Sequence, residues 1–157
     1  MNKSKYHSGE YKVKNGEKYL GKKNPTYRSS WELKFCEFCD NHPNVMAWAS
    51  ETLTIKYRHP LTKKVSTYIP DFFVVYMDEK GREFSEIVEV KPYSQTNPKY
   101  AKSDYDKEQL HINAAKWKAA IQFAKKMGVR FRVITEVDIF KNTKYSKNIK
   151  NPGRRKK

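Results

Sequence analysis

At 157 residues, with 14% aromatic and 38% hydrophobic residues, the chain is long enough for one domain with a substantial core. No apolar run approaches the ~18 residues of a spanning helix, which excludes a helical membrane protein, and the polar N-terminus shows no secretory leader, so the chain is expected in the cytosol when made. Lys and Arg number 33 against 17 Asp and Glu, a net charge of +16 that is concentrated at the ends: residues 1–28 hold eight basic and two acidic residues, 141–157 eight basic and none acidic, and 29–140 17 basic and 15 acidic. Basic ends around a balanced middle suit a polyanion, nucleic acid above all, and such arms are expected to order on contact with it. An anionic membrane fits less well because the ends lack an amphipathic apolar face. The plain alternative is that the lysines only solubilise the ends.

Residues 9–25 are rich in Lys, Gly and Asn, with Tyr11, Val13, Tyr19 and Leu20 as the few anchors, so residues 1–28 read as a basic arm with at most short extended pieces. Ser29 opens a helix on which Trp31, Leu33, Phe35, Cys36, Phe38 and Cys39 recur at helical spacing, and Pro43 limits it to about residue 41. Cys36 and Cys39 form a C-x-x-C pair with His42 three residues on. The second pair of ligands that a zinc site needs is missing, so both read as reduced thiols on the helix face.

"VMAWASETLTIKYRH" predicts one or two strands and "HPLTKK" a turn. The chain then runs extended over 65–76, turns at "MDEKGRE" and returns over 84–91. Leu110, Ala114, Trp117, Ile121 and Ala124 predict an amphipathic helix over 107–127 that Gly128 ends, and "VRFRVIT" a final strand with Val129, Phe131 and Val133 on one face. The sum is an α/β domain over 29–140 in which the long helix is a crossover connection within a mixed sheet, followed by a basic tail over 141–157.

Within the hairpin, Asp71, Glu89 and Lys91 interrupt apolar runs. Gly81 suits the left-handed position of a three-residue loop, Glu79-Lys80-Gly81, and the resulting register pairs Asp78 with Arg82 and sets Asp71 opposite Glu89. Two carboxylates facing each other are destabilising unless something compensates, and a divalent cation is the natural compensator. Lys91 shares the face of Glu89, whereas Val88 and Val90 face the other way. Pro70 cannot donate to a ladder, so it marks a bulge or edge that re-aims Asp71.

"PD" at Pro70 and Asp71, followed by "EVK" at Glu89 to Lys91, resembles the PD-(D/E)XK motif of the restriction-endonuclease-like nuclease superfamily. The fragments "YRSSWELKF", "WASETLTIKY", "YIPDFFV", "EVKPYSQ" and "NAAKWKAA" are similar to the small head completion nucleases of tailed bacteriophages, over residues 19–136. The resemblance implies an αβββαβ core with a central mixed sheet flanked by helices. It also implies metal-dependent hydrolysis of DNA phosphodiester bonds, late in head assembly and before head–tail joining, in the host cytoplasm and then in the head–neck region of the virion. Double-stranded DNA and phage head or neck proteins are the implied partners, with no membrane and no small-molecule substrate.

Carried onto this chain, the family pattern makes Asp71 and Glu89 metal-binding carboxylates, with the Val90 carbonyl as a further ligand for Mg²⁺ or Mn²⁺. Lys91 orients the attacking water or stabilises the phosphate's developing charge. Glu32 fits two readings: Ser29-x-x-Glu32 is a capping box, yet helical spacing sets this carboxylate beside Phe35, Cys36 and Cys39, and the resemblance favours a part in the metal site. Lys116 on the long helix and Arg28 before the first helix are expected to meet DNA, together with Arg154 and Arg155 in the tail. For Lys116 an exposed helix lysine is the competing reading, as tail solvation is for Arg28. Glu51 belongs to the similar fragments without an assignable role, and His42, His59 and His111 show no paired spacing. Two other readings stay open: a catalytically idle DNA-binding or connector protein on a nuclease fold, and a basic RNA-binding protein.

Overall fold

The structure, a computed structural model, describes residues 8–140. In chain order its elements are β1 (Gly9–Glu10), β2 (Thr26–Tyr27), α1 (Ser30–Asn41), β3 (Val45–Ser50), β4 (Ile55–Arg58), β5 (Val65–Tyr68), β6 (Phe72–Met77), β7 (Glu83–Val90), α2 (Asp104–Met127), β8 (Arg130–Ile134) and α3 (Glu136–Phe140). The main sheet has the order β3-β6-β7-β8, antiparallel at its first two junctions and parallel between β7 and β8. A parallel neighbour needs a crossover, and α2 supplies it. The order α1, β3, β6, β7, α2, β8 is the expected αβββαβ.

Glu86 to Val90 of β7 are buried without a break, as befits a central strand covered on both faces. On one side α1 contributes Phe35, Cys36 and Cys39 to a core with Trp48, Val74 and Val88. On the other, Ala120 of α2 packs with Ile55, Tyr57 and Tyr68, so the small sheet β4–β5 lies over α2. Cys36 and Cys39 are free thiols, and burial pushes both well above the ordinary thiol range. Among the described residues no helix is long and apolar enough to cross a membrane.

The hairpin has the register expected from its loop. Asp78 N–H donates to the Arg82 carbonyl at 2.9 Å, Gly81 takes φ +80°, and Phe72 pairs with Val88 and Phe73 with Ile87. The extended run over 65–76 is two strands, because Pro70 separates β5, which pairs with β4, from β6, which joins the main sheet. The long helix begins at Asp104, where the Ser103 hydroxyl caps Asp106 N–H at 3.0 Å. Its inner face matches the expected one only in part: Ala124 is buried and Trp117 packs inward as expected, but Asn113 and Ala120 are buried too, whereas Ile121 is 53% exposed and Ala114 is exposed. A small-residue stripe lets α2 approach the sheet closely, and the larger Ile121 is left outside.

Residues 8–28 do not behave as a loose arm. Tyr11 is buried in the α1-side core, and its hydroxyl donates to Asp40 at 2.6 Å. Asp40, itself fully buried, also accepts the backbone N–H of Lys14 and Asn15 at 2.8 and 3.0 Å, so one carboxylate ties the N-terminal segment to α1. Burial raises the pKa of Asp40, but these bonds outweigh it and the net displacement is downward. A carboxyl depressed in the folded state stabilises at neutral pH and loses that contribution as pH falls below about 4. Asp40→Ala leaves three donors unpaired and is expected to cost about 2–4 kcal/mol, read by urea unfolding at pH 7, with the difference from wild type shrinking as the solution is acidified. Equal stability at pH 7 would show that the segment is held some other way.

Candidate active site

The break at Pro70 puts Asp71 at the mouth of the sheet, where β6 begins and β7 ends. The Asp71 carbonyl accepts Glu51 N–H at 2.9 Å, and its carboxylate accepts Val90 N–H at 2.8 Å, which ties it to the strand that carries Glu89. Glu89 is 6% exposed; one oxygen accepts the Tyr68 hydroxyl at 2.8 Å, and the other lies 3.6 Å from the Lys91 ammonium. Glu32 reaches in from the first turn of α1. Its N–H is capped by the Ser29 hydroxyl at 3.1 Å and its carboxylate accepts Arg28 N–H at 2.9 Å, so the glutamate both serves the helix end and faces the other acids.

Charge at this spot is uncomfortable. Burial lifts Asp71 well above the usual carboxylate range, and the charges of Glu89 and Glu32 lift it further against the pull of Val90 N–H and Lys91. Burial likewise raises Glu89, with Lys91 and the Tyr68 hydroxyl opposing, and Glu32, with the Arg28 backbone opposing. Lys116 of α2 sits above the rings of Tyr68 and Tyr57, 5.5 and 5.9 Å from their centroids. Burial and then the Lys91 charge lower its pKa, while Glu89 and Asp71 pull the other way. Two ammonium groups and three carboxylates thus share one end of the sheet.

A hard divalent cation fits this donor set. Among the described residues no three His, Cys, Asp or Glu side chains form a ready metal cage; Asp71, tied to Val90 N–H, and Glu89 supply two carboxylates. That is the sparse, all-oxygen arrangement suited to an ion such as Mg²⁺, which keeps waters and takes substrate phosphate oxygens.

The structure brings Asp71, Glu89, Lys91, Glu32 and Lys116 together. Arg28 stands at the rim in an ion pair with Glu51, and Arg154 and Arg155 lie outside the described residues. Sequence reasoning missed Tyr68 and the part of Glu51. Tyr68 was readable only as a strand residue. Glu51 holds φ +50° just past β3, where its N–H meets Asp71 and its carboxylate meets Arg28, a conformation that no residue type announces.

A family description, the TnsA-like endonuclease N-terminal domain, matches residues 42–136. This stretch runs from the end of α1 through β8 and includes Asp71, Glu89, Lys91 and Lys116. The chain belongs to the TnsA-like endonuclease family. Its mixed sheet with flanking helices is the restriction-endonuclease-like fold of that family. It is also similar to the protein named head completion nuclease of Enterobacteria phage T4, with 38% identity over 141 residues that span 83% of this chain and 91% of that protein. The family match starts after Glu32, so the place of Glu32 in this TnsA-like site rests on its geometry.

Proposed function

We propose that this TnsA-like protein is a Mg²⁺-dependent DNA endonuclease that acts in phage head completion, on packaged DNA before heads join tails. The observation that carries the reading is the meeting of Asp71 and Glu89 beside Lys91 at the open end of the sheet. The similarity to the phage T4 head completion nuclease supports the phage setting; head or neck proteins as partners and the virion as destination belong to the same proposal.

Asp71, Glu89 and the Val90 carbonyl would hold the ion. When bound, it supplies a lowered pKa for a coordinated water and positive charge for the scissile phosphate. The chain's own residues do the rest. Val90 N–H and the Tyr68 hydroxyl each fix one carboxylate oxygen, so the two acids stay aimed at one point. Lys91, anchored on Glu89, faces the phosphate, where its ammonium stabilises the extra negative charge that develops as water attacks. Lys116, held over two aromatic rings, adds a second positive group against the DNA backbone.

Purified protein incubated with plasmid and with linear DNA, in Mg²⁺, in Mn²⁺ and in chelator, tests this. Cleavage is expected only with metal, and Lys91→Ala is expected to slow it by about 10²- to 10³-fold with DNA binding retained. Equal cleavage by wild type and Lys91→Ala would refute the assignment of Lys91. Binding without cleavage in any metal would favour the idle connector reading.

A further inference from the structure

Strands β4 and β5 form a two-stranded ribbon outside the main sheet. Its inner face, with Ile55, Tyr57 and Tyr68 buried, lies on α2. Its outer face carries Lys56 and Arg58 opposite Thr67 and Val65, all exposed, and the connecting loop adds exposed Lys63 and Lys64. Between Thr52 and Pro70 the chain has these four cations and no Asp or Glu, in a domain whose charges otherwise nearly cancel. None of the four is ion-paired among the described residues; Arg58 donates only to the Lys63 carbonyl, at 2.7 Å, which stiffens the ribbon tip. The same ribbon ends at Tyr68, whose hydroxyl is bonded to Glu89, and three residues later the chain reaches Asp71.

We propose that the outer face of this ribbon, through Lys56, Arg58, Lys63 and Lys64, is a docking surface for duplex DNA that seats the scissile strand against the carboxylates. The nature of the occupant rests on the nuclease reading above. A two-stranded ribbon is of a size that a major groove, about 12 Å wide, admits. Phosphates on either side of such a groove meet the cations at the ribbon's edge and tip. Terminal basic segments hold DNA at any register, whereas a stiff ribbon joined directly to Tyr68 and Asp71 fixes where the backbone lies relative to the site.

The test compares the full chain with Lys56→Gln/Lys63→Gln/Lys64→Gln and with Lys118→Gln/Lys125→Gln/Lys126→Gln, which removes the same charge from exposed positions on α2. Binding to a short duplex is measured in chelator across a salt series. The ribbon variant is expected to lower the slope of log affinity against log salt by roughly 2 to 3, at about 0.9 per lost phosphate contact, and the α2 variant by less than about 1. Lysine acetylation of the wild-type protein gives a second readout without any substitution: DNA is expected to protect Lys56, Lys63 and Lys64 and to leave Lys118, Lys125 and Lys126 reactive. An unchanged slope in the ribbon variant, equal losses in the two variants, or full reactivity of the ribbon lysines with DNA bound would overturn the proposal. Because binding is read in chelator, a wild-type protein that binds but never cuts would remove the nuclease reading and leave the ribbon's result standing.

Discussion

Asp71→Asn is expected to leave the protein folded and bound to DNA, to slow cleavage by at least about 10³-fold, and to raise the melting temperature of the metal-free protein. The loss follows because an amide is a poor ligand for a hard cation and Asp71 is one of the two carboxylates that would hold it. The gain follows from the same geometry. At neutral pH the metal-free site holds Asp71, which burial and the charges of Glu89 and Glu32 lift well above the ordinary carboxylate range, and Glu89, which burial raises; a carboxyl so raised makes folding less favourable as pH climbs from the unfolded toward the folded value. Asparagine removes one of the repelling charges, and its carbonyl oxygen can still accept Val90 N–H.

A net gain of about 1 kcal/mol would appear as a rise of roughly 2–4 °C in chelator. Adding Mn²⁺ should then stabilise wild type, since a ligand that binds only the folded state raises stability by mass action, and should leave Asp71→Asn unmoved. Full cleavage by Asp71→Asn, or equal metal-induced stabilisation of both proteins, would show that the ion binds elsewhere. The site is thus expected to trade stability for chemistry.

Affinity for duplex DNA is expected to fall about 10³- to 10⁵-fold between ~50 and ~200 mM salt, the range for roughly 6–10 neutralised phosphates. The expectation rests on a net charge of +16, of which residues 141–157 contribute eight cations and no anion. Deleting residues 141–157 should flatten the dependence while leaving the catalytic rate at saturating DNA close to wild type, since no residue of the carboxylate cluster lies there. A salt dependence that survives the deletion unchanged would show that the tail does not touch DNA.

The hairpin was legible because two local rules agreed. Gly81 permits one loop length, and that loop gives the observed register, Phe72 opposite Val88, whose continuation by one residue sets Asp71 opposite Glu89. The crossover helix was legible from its period and from Gly128, which takes φ +75° at its end. Its inner face was legible only in part: Ala124 and Trp117 pack inward as expected, but hydrophobicity marks Ile121 as interior, whereas close packing of α2 selects Ala120. The N-terminal segment was legible only in part: Tyr11 reads as an anchor and the strands are short, but lysines dominate the composition, and nothing in "GEYKVKNGE" says that Tyr11 finds Asp40, 29 residues away. Helix α3 had a signal that went unread, since in "TEVD" the Thr135 hydroxyl and the Asp138 carboxylate cap one another's turn. Of the site itself, the acids and Lys91 could be read because charge inside an apolar strand is costly without a task. Tyr68 and Glu51 could not, because their parts depend on contacts that the fold creates.

A crystal grown with Mn²⁺ and measured at a wavelength where manganese scatters anomalously tests the central claim most directly. One anomalous peak is predicted between the carboxylates of Asp71 and Glu89, within about 2.0–2.3 Å of an oxygen from each and beside the Val90 carbonyl, with the Lys91 ammonium on the same side of the sheet. Two carboxylates turned to opposite faces of the sheet, with no manganese between them, would contradict it.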